Sequence, residues 1–320
     1  MIRILQGDCT ESLKTLEDGS INTCITSPPY WGLRDYGVDG QLGSEETAEE
    51  FIDGMVGVFR EVKRVLRDDG TLWLNMGDSY AMSSIRGKDS NFSGHLGSMK
   101  HWGKEGSIRL GNRNLPFNLK AKNLIGMPWR LALALQADGW YLRQDIIWHK
   151  PNPMPESVRD RCTKSHEYIF LLSKKAKYYY DHEAIKEDSK FPGGPTSPQK
   201  IQKGKGEYGM DTRGGLSKLG PLAKRNKRSV WTITTKPFKG AHFATFPKDL
   251  IEPCVLAGCP EGGTVLDPFG GSGTTGIVAA GHNRNAVLLE LNAEYIELAK
   301  ARIEKDMGMF VDLTVEMKDD

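Results

Sequence analysis

The stretch Thr264 to Gly281, "TVLDPFGGSGTTGIVAAG", decides the fold. A short apolar run ends at Asp267-Pro268, glycines follow at 270, 271 and 273, and Thr274 opens a second apolar run. Proline ends the strand and the glycines free the turn, so the pattern reads as strand, glycine-rich turn, helix. Gly271, Gly273 and Gly276 satisfy GxGxxG, and Glu290 ends the next strand-like run, "NAVLLE", where an acid can accept from ribose hydroxyls. A carboxylate at the strand end, Asp267, would repel a pyrophosphate and suits an ammonium. No Lys-Ser/Thr pair follows the glycines, which argues against a P-loop. S-adenosylmethionine carries an α-amino group and no phosphate, and so fits. The bland alternative is a tight turn with no ligand.

Outward from this unit, strands alternate with helices. "MIRILQGD" predicts a strand, then a helix over about residues 10–16 with Thr10 as N-cap. Ile21–Thr26 predicts a buried strand. Apolar residues at helical spacing from Phe51 to Leu66 predict a helix over about 47–67, ended by "DDG", and "TLWLNMGD" predicts the next strand. A helix is expected over about 125–137, strands at "WYLRQDIIWHKP" and "EYIFLLSK", a helix from near Pro247, and a last helix over about 292–305. The expected class is α/β: a mostly parallel sheet, helices on both faces, ligands bound beyond the carboxyl ends of the strands.

The 320 residues suffice for one large domain with an insertion. No apolar run nears the roughly 20 residues that span a bilayer, and the first residues lack a signal-peptide pattern, so the expected location is cytoplasmic. Cys9, Cys24, Cys162, Cys254 and Cys259 form no CxxC pair, and structural-zinc spacing is not met; no metal is expected. Net charge is only +2, but residues 82–122 carry +6 and residues 186–228 carry +7, leaving the remainder at −11. An acidic body with two basic arms suggests a polyanionic partner; two solvated loops are the bland alternative.

A second stretch is as telling. "INTCITSPPYW" is a β-branched run cut off by Ser27-Pro28-Pro29-Tyr30-Trp31. Two prolines fix the backbone and hold up a hydroxyl beside two large aromatics. Thr26 to Trp31 resembles the catalytic motif of the DNA amino-methyltransferases, which methylate cytosine N4 or adenine N6. Asp267 to Thr274 resembles their cofactor motif. Catalytic motif first and cofactor motif last resembles the beta class, whose Rossmann-like methyltransferase fold is circularly permuted. "GDCTESL", "GTLWLNMGD", "DIIWHKPNPMPESVRDRCTKSHEYIFLLSK" and "HFATFPKDLIEPCVLAG" resemble further family blocks, so the likeness covers nearly the whole chain.

The resemblance implies a division into residues 1–181, the catalytic half with a DNA-facing loop at about 82–122; 182–235, a target-recognition insertion; and 236–320, the cofactor-binding half. It implies that the Ser27 side chain and the Pro28 carbonyl accept the two amine hydrogens, with Pro29 holding them rigid. The lone pair then points at the methyl of S-adenosylmethionine for direct displacement. A base in a duplex must be flipped out to reach such a site, and Tyr30 is expected to stack on it, with Trp31 as pocket wall. By position, Asp8 is expected near the adenine and Phe269 against the cofactor. Glu290 falls on the ribose, Phe246 closes the pocket, and Asp267, Pro268, Gly270, Gly271, Ser272, Gly273 and Thr274 form the cofactor turn. Asp8 has a plain alternative as a helix-terminal charge, and Phe246 one as core. His101, Trp102, Arg109 and Arg113 are candidates for reading bases.

Family members with Ser before Pro-Pro-Tyr usually methylate cytosine N4, and those with Asp or Asn usually adenine N6. The expectation is an N4-cytosine enzyme on double-stranded DNA, with N6-adenine as the alternative. An inactive DNA-binding relative is a more distant alternative, and a small-molecule methyltransferase a third. Many relatives look dimeric, which makes a homodimer an expectation. No nuclease motif is present, so any cognate restriction endonuclease is expected on a separate chain.

Overall fold

The computed structural model describes residues 1–32, 40–81, 116–189, 224–235, 246–308 and 311–316. The loop at about 82–122 falls largely outside them, as do His101, Trp102, Arg109, Arg113 and residues 190–223 of the second basic arm.

Among the described residues nine strands form one sheet in the order β11-β1-β10-β9-β2-β3-β5-β4-β8. In chain order they are β1 (Ile2–Gln6), β2 (Ile21–Thr26), β3 (Leu66–Met76), β4 (Tyr141–His149), β5 (His166–Ser173), β8 (Val230–Thr232), β9 (Thr264–Asp267), β10 (Asn285–Glu290) and β11 (Leu313–Glu316). Within this sheet, among the described residues, only β5 runs antiparallel to its neighbours, β3 and β4. A separate ribbon pairs β6 (Glu187–Asp188) with β7 (Lys224–Arg225). The helices are α1 (Cys9–Lys14), α2 (Ala48–Val65), α3 (Met127–Ala137), α4 (Lys248–Gly258), α5 (Thr274–Gly281) and α6 (Ala293–Met307).

Strand alternation sorts the core into two layers. Leu5, Cys24, Leu72, Leu74, Leu266 and Leu289 pack with Leu13, Phe51, Phe59 and Leu131, so α1, α2 and α3 share one face. Ile4, Ile25, Trp73, Val265 and Leu288 pack with Leu250, Val255, Ile277 and Ile296, so α4, α5 and α6 share the other. Among the described residues no helix is long and apolar enough to cross a membrane.

Local chemistry sets the helix ends. Thr47 and Glu50 form a capping box: Thr47 Oγ1 accepts from the Glu50 N–H at 3.1 Å and Glu50 Oε2 from the Thr47 N–H at 3.0 Å. Gly126 has no side chain to cap α3, and Asp78, just past β3, does so instead, accepting from the Gly126 and Met127 N–H groups at 3.0 and 3.1 Å. At α1 the cap is Asp8 and not Thr10; the Asp8 Oδ1 accepts from the Thr10 and Glu11 N–H groups. A carboxylate satisfies two donors at a positive helix end, which a threonine hydroxyl does less well.

Three further readings change. "DDG" does not end α2. The helix stops at Val65 because Leu66 turns extended and opens β3, and residues 67–70 bulge between the pairs Ile21↔Leu66 and Thr23↔Thr71. β11 adds an edge beyond β1, where "LTVE" is too short to stand out. β8 lies inside the segment read as the recognition insertion, yet pairs with β4 and so belongs to the sheet.

The permutation is visible in three dimensions. β1 sits between β10 and β11, so the first strand completes the half built mainly by the end of the chain. The crossover from β9 to β10 through α5 and the crossover from β2 to β3 through α2 lie on opposite faces. Adjacent strands β9 and β2 therefore form the switch point, where a crevice opens at the carboxyl ends.

Candidate active site

The two decisive stretches meet at that crevice. β2 and β9 are paired only at Thr23↔Val265 and Cys24↔Leu266, and then they part. Past the split, the Thr26 hydroxyl donates to Asp267 Oδ1 at 2.6 Å, the Thr275 hydroxyl to Oδ2 at 2.6 Å, and the Phe269 N–H to Oδ1 at 3.1 Å. Asp267 is 1% exposed, and burial pushes its carboxyl up to about 7 against those three bonds. It ties the catalytic strand to the cofactor turn. It is absent from the cavity lining, which is not where an acid meeting a ligand ammonium was expected.

One cavity collects most of the other expected residues: Asp8, Ser27, Pro28, Pro29, Tyr30, Phe246, Pro268, Phe269, Gly270, Gly271, Ser272, Thr274 and Glu290 all line it. Gly273 lies behind it, at φ 76° as N-cap of α5, where a Cβ would meet Ala299 and Ile303 at 3.2 Å. Trp31 is not a pocket wall. It is 9% exposed within the core, and its Nε1 donates to the Glu45 carbonyl at 3.1 Å.

Glu290 braces the glycine turn. Its Oε2 accepts from the Gly271 N–H at 2.8 Å and its Oε1 from the Asn292 N–H at 2.9 Å; burial raises its pKa. Behind the turn, Arg302 of α6 donates to the Ser272 carbonyl at 3.0 Å, Ser272 Oγ at 2.7 Å and Thr274 Oγ1 at 2.8 Å. Asp8 caps α1, its plain alternative reading, and it also lines the cavity.

The Ser27–Tyr30 turn is backed by Gly43, where a Cβ would touch Pro29 Cβ at 3.2 Å and the Tyr30 carbonyl at 3.4 Å. The Tyr30 phenol donates to Glu167 Oε2 at 3.2 Å. Burial, then the Glu167 charge, holds it well above the ordinary tyrosine range, so it is a neutral O–H near neutral pH.

Sequence reasoning missed Gly7, Gln41, Leu42, Asn292 and Tyr295 in the lining. Asn292 and Tyr295 follow Glu290 where a strand gives way to a helix, a position that could have flagged them. The lining holds two carboxylates, Asp8 and Glu290, two phenylalanines and no Lys, Arg or His among the described residues. Such a lining suits a cationic ligand with an apolar ring and offers a phosphate no cationic side chain. Among the described residues no cluster of His, Cys, Asp or Glu could hold a metal ion.

Known proteins are similar to this chain in sequence and in fold. The chain is 49% identical over 301 residues to the type II methyltransferase M.SmaI of Serratia marcescens, covering 94% of this chain and 90% of the relative. It is 46% identical over 302 residues to M.Cfr9I of Citrobacter freundii, covering 94% and 87%. In fold it is similar to TTHA0409 of Thermus thermophilus complexed with S-adenosyl-L-methionine, with TM-score 0.62, 24% identity and full coverage of both chains. It is similar also to the PvuII DNA methyltransferase (cytosine-N4-specific), with TM-score 0.62, 18% identity and coverage of 95% and 89%. The model of the DNA methylase family, which spans N6 and N4 enzymes, matches residues 21–301, and the chain belongs to that family.

Proposed function

We propose that the chain methylates the exocyclic N4 of a cytosine flipped out of duplex DNA, with S-adenosylmethionine as methyl donor. The observation that carries this reading is the meeting of the Ser27-Pro28-Pro29-Tyr30 turn and the glycine turn in one acid-lined cavity. S-adenosylmethionine supplies a methyl group on a sulfonium, and the carboxylates of Asp8 and Glu290 suit its adenosine hydroxyls and its positive charge. Phe246 and Phe269 give its ring apolar walls, and the backbone of residues 270–274 lets it approach closely.

At the other end of the cavity, Ser27 Oγ and the Pro28 carbonyl take the two hydrogens of the target amine. An aromatic amine is a poor nucleophile because its lone pair is shared with the ring. Two fixed acceptors favour a pyramidal nitrogen; the lone pair then attacks the methyl in line, the electrons of the carbon–sulfur bond leave with sulfur, and the methylated, cationic nitrogen releases one proton to water. Tyr30 holds the flipped ring by stacking. The 82–122 and 182–235 segments supply phosphate contacts through their Lys and Arg excess. Serine before Pro-Pro-Tyr supports cytosine over adenine; the N6-adenine reading uses the same site.

The test is methyl transfer to unmethylated genomic DNA by Ser27→Ala and Tyr30→Ala. Each is expected to lose about 100-fold or more in rate, the scale of a lost transition-state contact, with cofactor affinity kept within a few-fold. Full activity in both would overturn the site. Affinity for duplex DNA is expected to fall steeply with salt; binding indifferent to salt would instead favour a small-molecule substrate.

A further inference from the structure

The cavity lining includes a group that the displacement does not use, the side chain of Gln41. It stands on a short loop, residues 40–45, that is braced by its own hydrogen bonds. The Gly32 N–H donates to the Gly43 carbonyl at 2.8 Å, the Gly43 N–H to Glu45 Oε2 at 2.9 Å, and the Ser44 hydroxyl to the Gln41 carbonyl at 3.0 Å. Leu42 packs against the same core layer as Tyr30. Gly43 lies against the catalytic turn, where its missing Cβ leaves room for Pro29 and the Tyr30 carbonyl. Gln41, two residues before Gly43, therefore lines the cavity at the end held by that turn.

The amine is only one corner of the base. Beside N4, cytosine carries two acceptors, N3 and O2. Adenine carries N1 beside N6, and then a C–H at C2. Flipping strips N3 and O2 of the guanine that paired with them, and a donor in the pocket restores a partner. A donor facing O2 also tells the two bases apart, because the adenine C–H would leave that donor unpaired. Among the described residues the lining holds no Lys, Arg, His or Trp, and its side-chain N–H groups come from Gln41 and Asn292. Asn292 stands at the cofactor end: its backbone N–H donates to Glu290 Oε1, and its side-chain oxygen caps α6 by accepting from the Glu294 N–H at 2.8 Å. The Tyr30 hydroxyl donates to Glu167, and those of Ser272 and Thr274 take bonds from Arg302. Gln41 is thus the amide beside the Ser27–Tyr30 turn. We propose that Gln41 is a specificity-determining residue whose side-chain N–H donates to O2 of the flipped cytosine while Ser27 and Pro28 hold the amine. This deepens the reading of the turn as a cytosine N4 site and rests on it.

The experiment uses duplexes built on the sequence context that sequencing reports for genomic DNA methylated by the wild-type protein. The target position carries cytosine, adenine or no base, each opposite an abasic position so that no pair has to be broken. Affinity is read by fluorescence anisotropy with S-adenosylhomocysteine present, so that no methyl group is transferred. Wild type is expected to bind the cytosine duplex about tenfold more tightly than the adenine duplex. Gln41→Leu keeps the bulk and loses the donor. It should bind the two within about twofold of each other, with affinities for the baseless duplex and for S-adenosylmethionine within about twofold of wild type. Gln41→Glu, which only accepts when ionised, should lose the preference too, and serves if Gln41→Leu does not fold. A wild type that does not prefer cytosine, a preference kept in the folded variant, or a loss shared by all three duplexes would overturn the inference. The wild-type product separates the two readings. Label only in N6-methyladenine, or none in DNA, overturns the cytosine site and the inference with it; label in N4-methylcytosine beside a preference kept in the variant overturns the inference alone.

Discussion

Replacing Asp267 with asparagine removes a titrating group from the seam between the catalytic and cofactor turns. Asp267 is 1% exposed and its carboxyl is pushed up to about 7 by burial, against an ordinary value of 3.8. Below about pH 4 the folded and unfolded chains both hold the proton and the group adds no difference. Above that the unfolded chain releases it while the folded chain keeps it, so stability falls as pH rises and levels off past about pH 7. The full gap of about three pKa units corresponds to about 4 kcal/mol, of which more than half falls between pH 5 and pH 8. Asparagine keeps an acceptor for Thr26 and the Phe269 N–H but loses one for Thr275, a pH-independent cost of about 1 kcal/mol. Urea unfolding followed by tryptophan fluorescence at pH 5 and pH 8 checks this. Asp267→Asn should gain about 2–3 kcal/mol on wild type between the two pH values. If both proteins shift in parallel, Asp267 is not the buried titrating group described here.

Gly77→Ala puts a methyl 2.9 Å from the Tyr30 ring, so it should slow methyl transfer about tenfold or more while leaving cofactor affinity near wild type, measurable by single-turnover kinetics and calorimetry. Gly258→Ala forces a Cβ within 2.7 Å of Trp73 Nε1 and 2.9 Å of Thr23 Oγ1 in the closed layer under α4; overpacking there should cost about 1–3 kcal/mol in denaturant unfolding. Arg302→Met removes three hydrogen bonds to Ser272 and Thr274, and should weaken S-adenosylmethionine binding about tenfold by titration, with DNA binding unchanged.

What was legible in the sequence was local. Ile21–Thr26, Thr264–Asp267, Asn285–Glu290 and α5 fall where the apolar runs and glycines placed them, because each is bounded by a proline, a glycine or an acid that stops it. The sheet class followed from alternation alone. The residues of the two turns were readable because their chemistry is unusual for their place: a hydroxyl on a double-proline ledge, and a glycine run after an acid. What was hidden depends on contacts far apart in sequence. Asp267 reads as a ligand-facing acid until Thr26, 241 residues away, is seen to donate to it. Glu167 reads as one polar residue in a core strand until Tyr30, 137 residues away, lands on it. Trp31 follows a tyrosine that faces the cavity, and nothing in the sequence says that it turns into the core instead.

The central claim is a methyl group placed on cytosine N4. Unmethylated DNA treated with the protein and S-adenosylmethionine labelled in its methyl group, then digested to nucleosides and separated, reports the product directly. The account predicts label in N4-methylcytosine. Label found only in N6-methyladenine would contradict it while leaving the site intact, and no label in DNA at all would contradict the reading of the site itself.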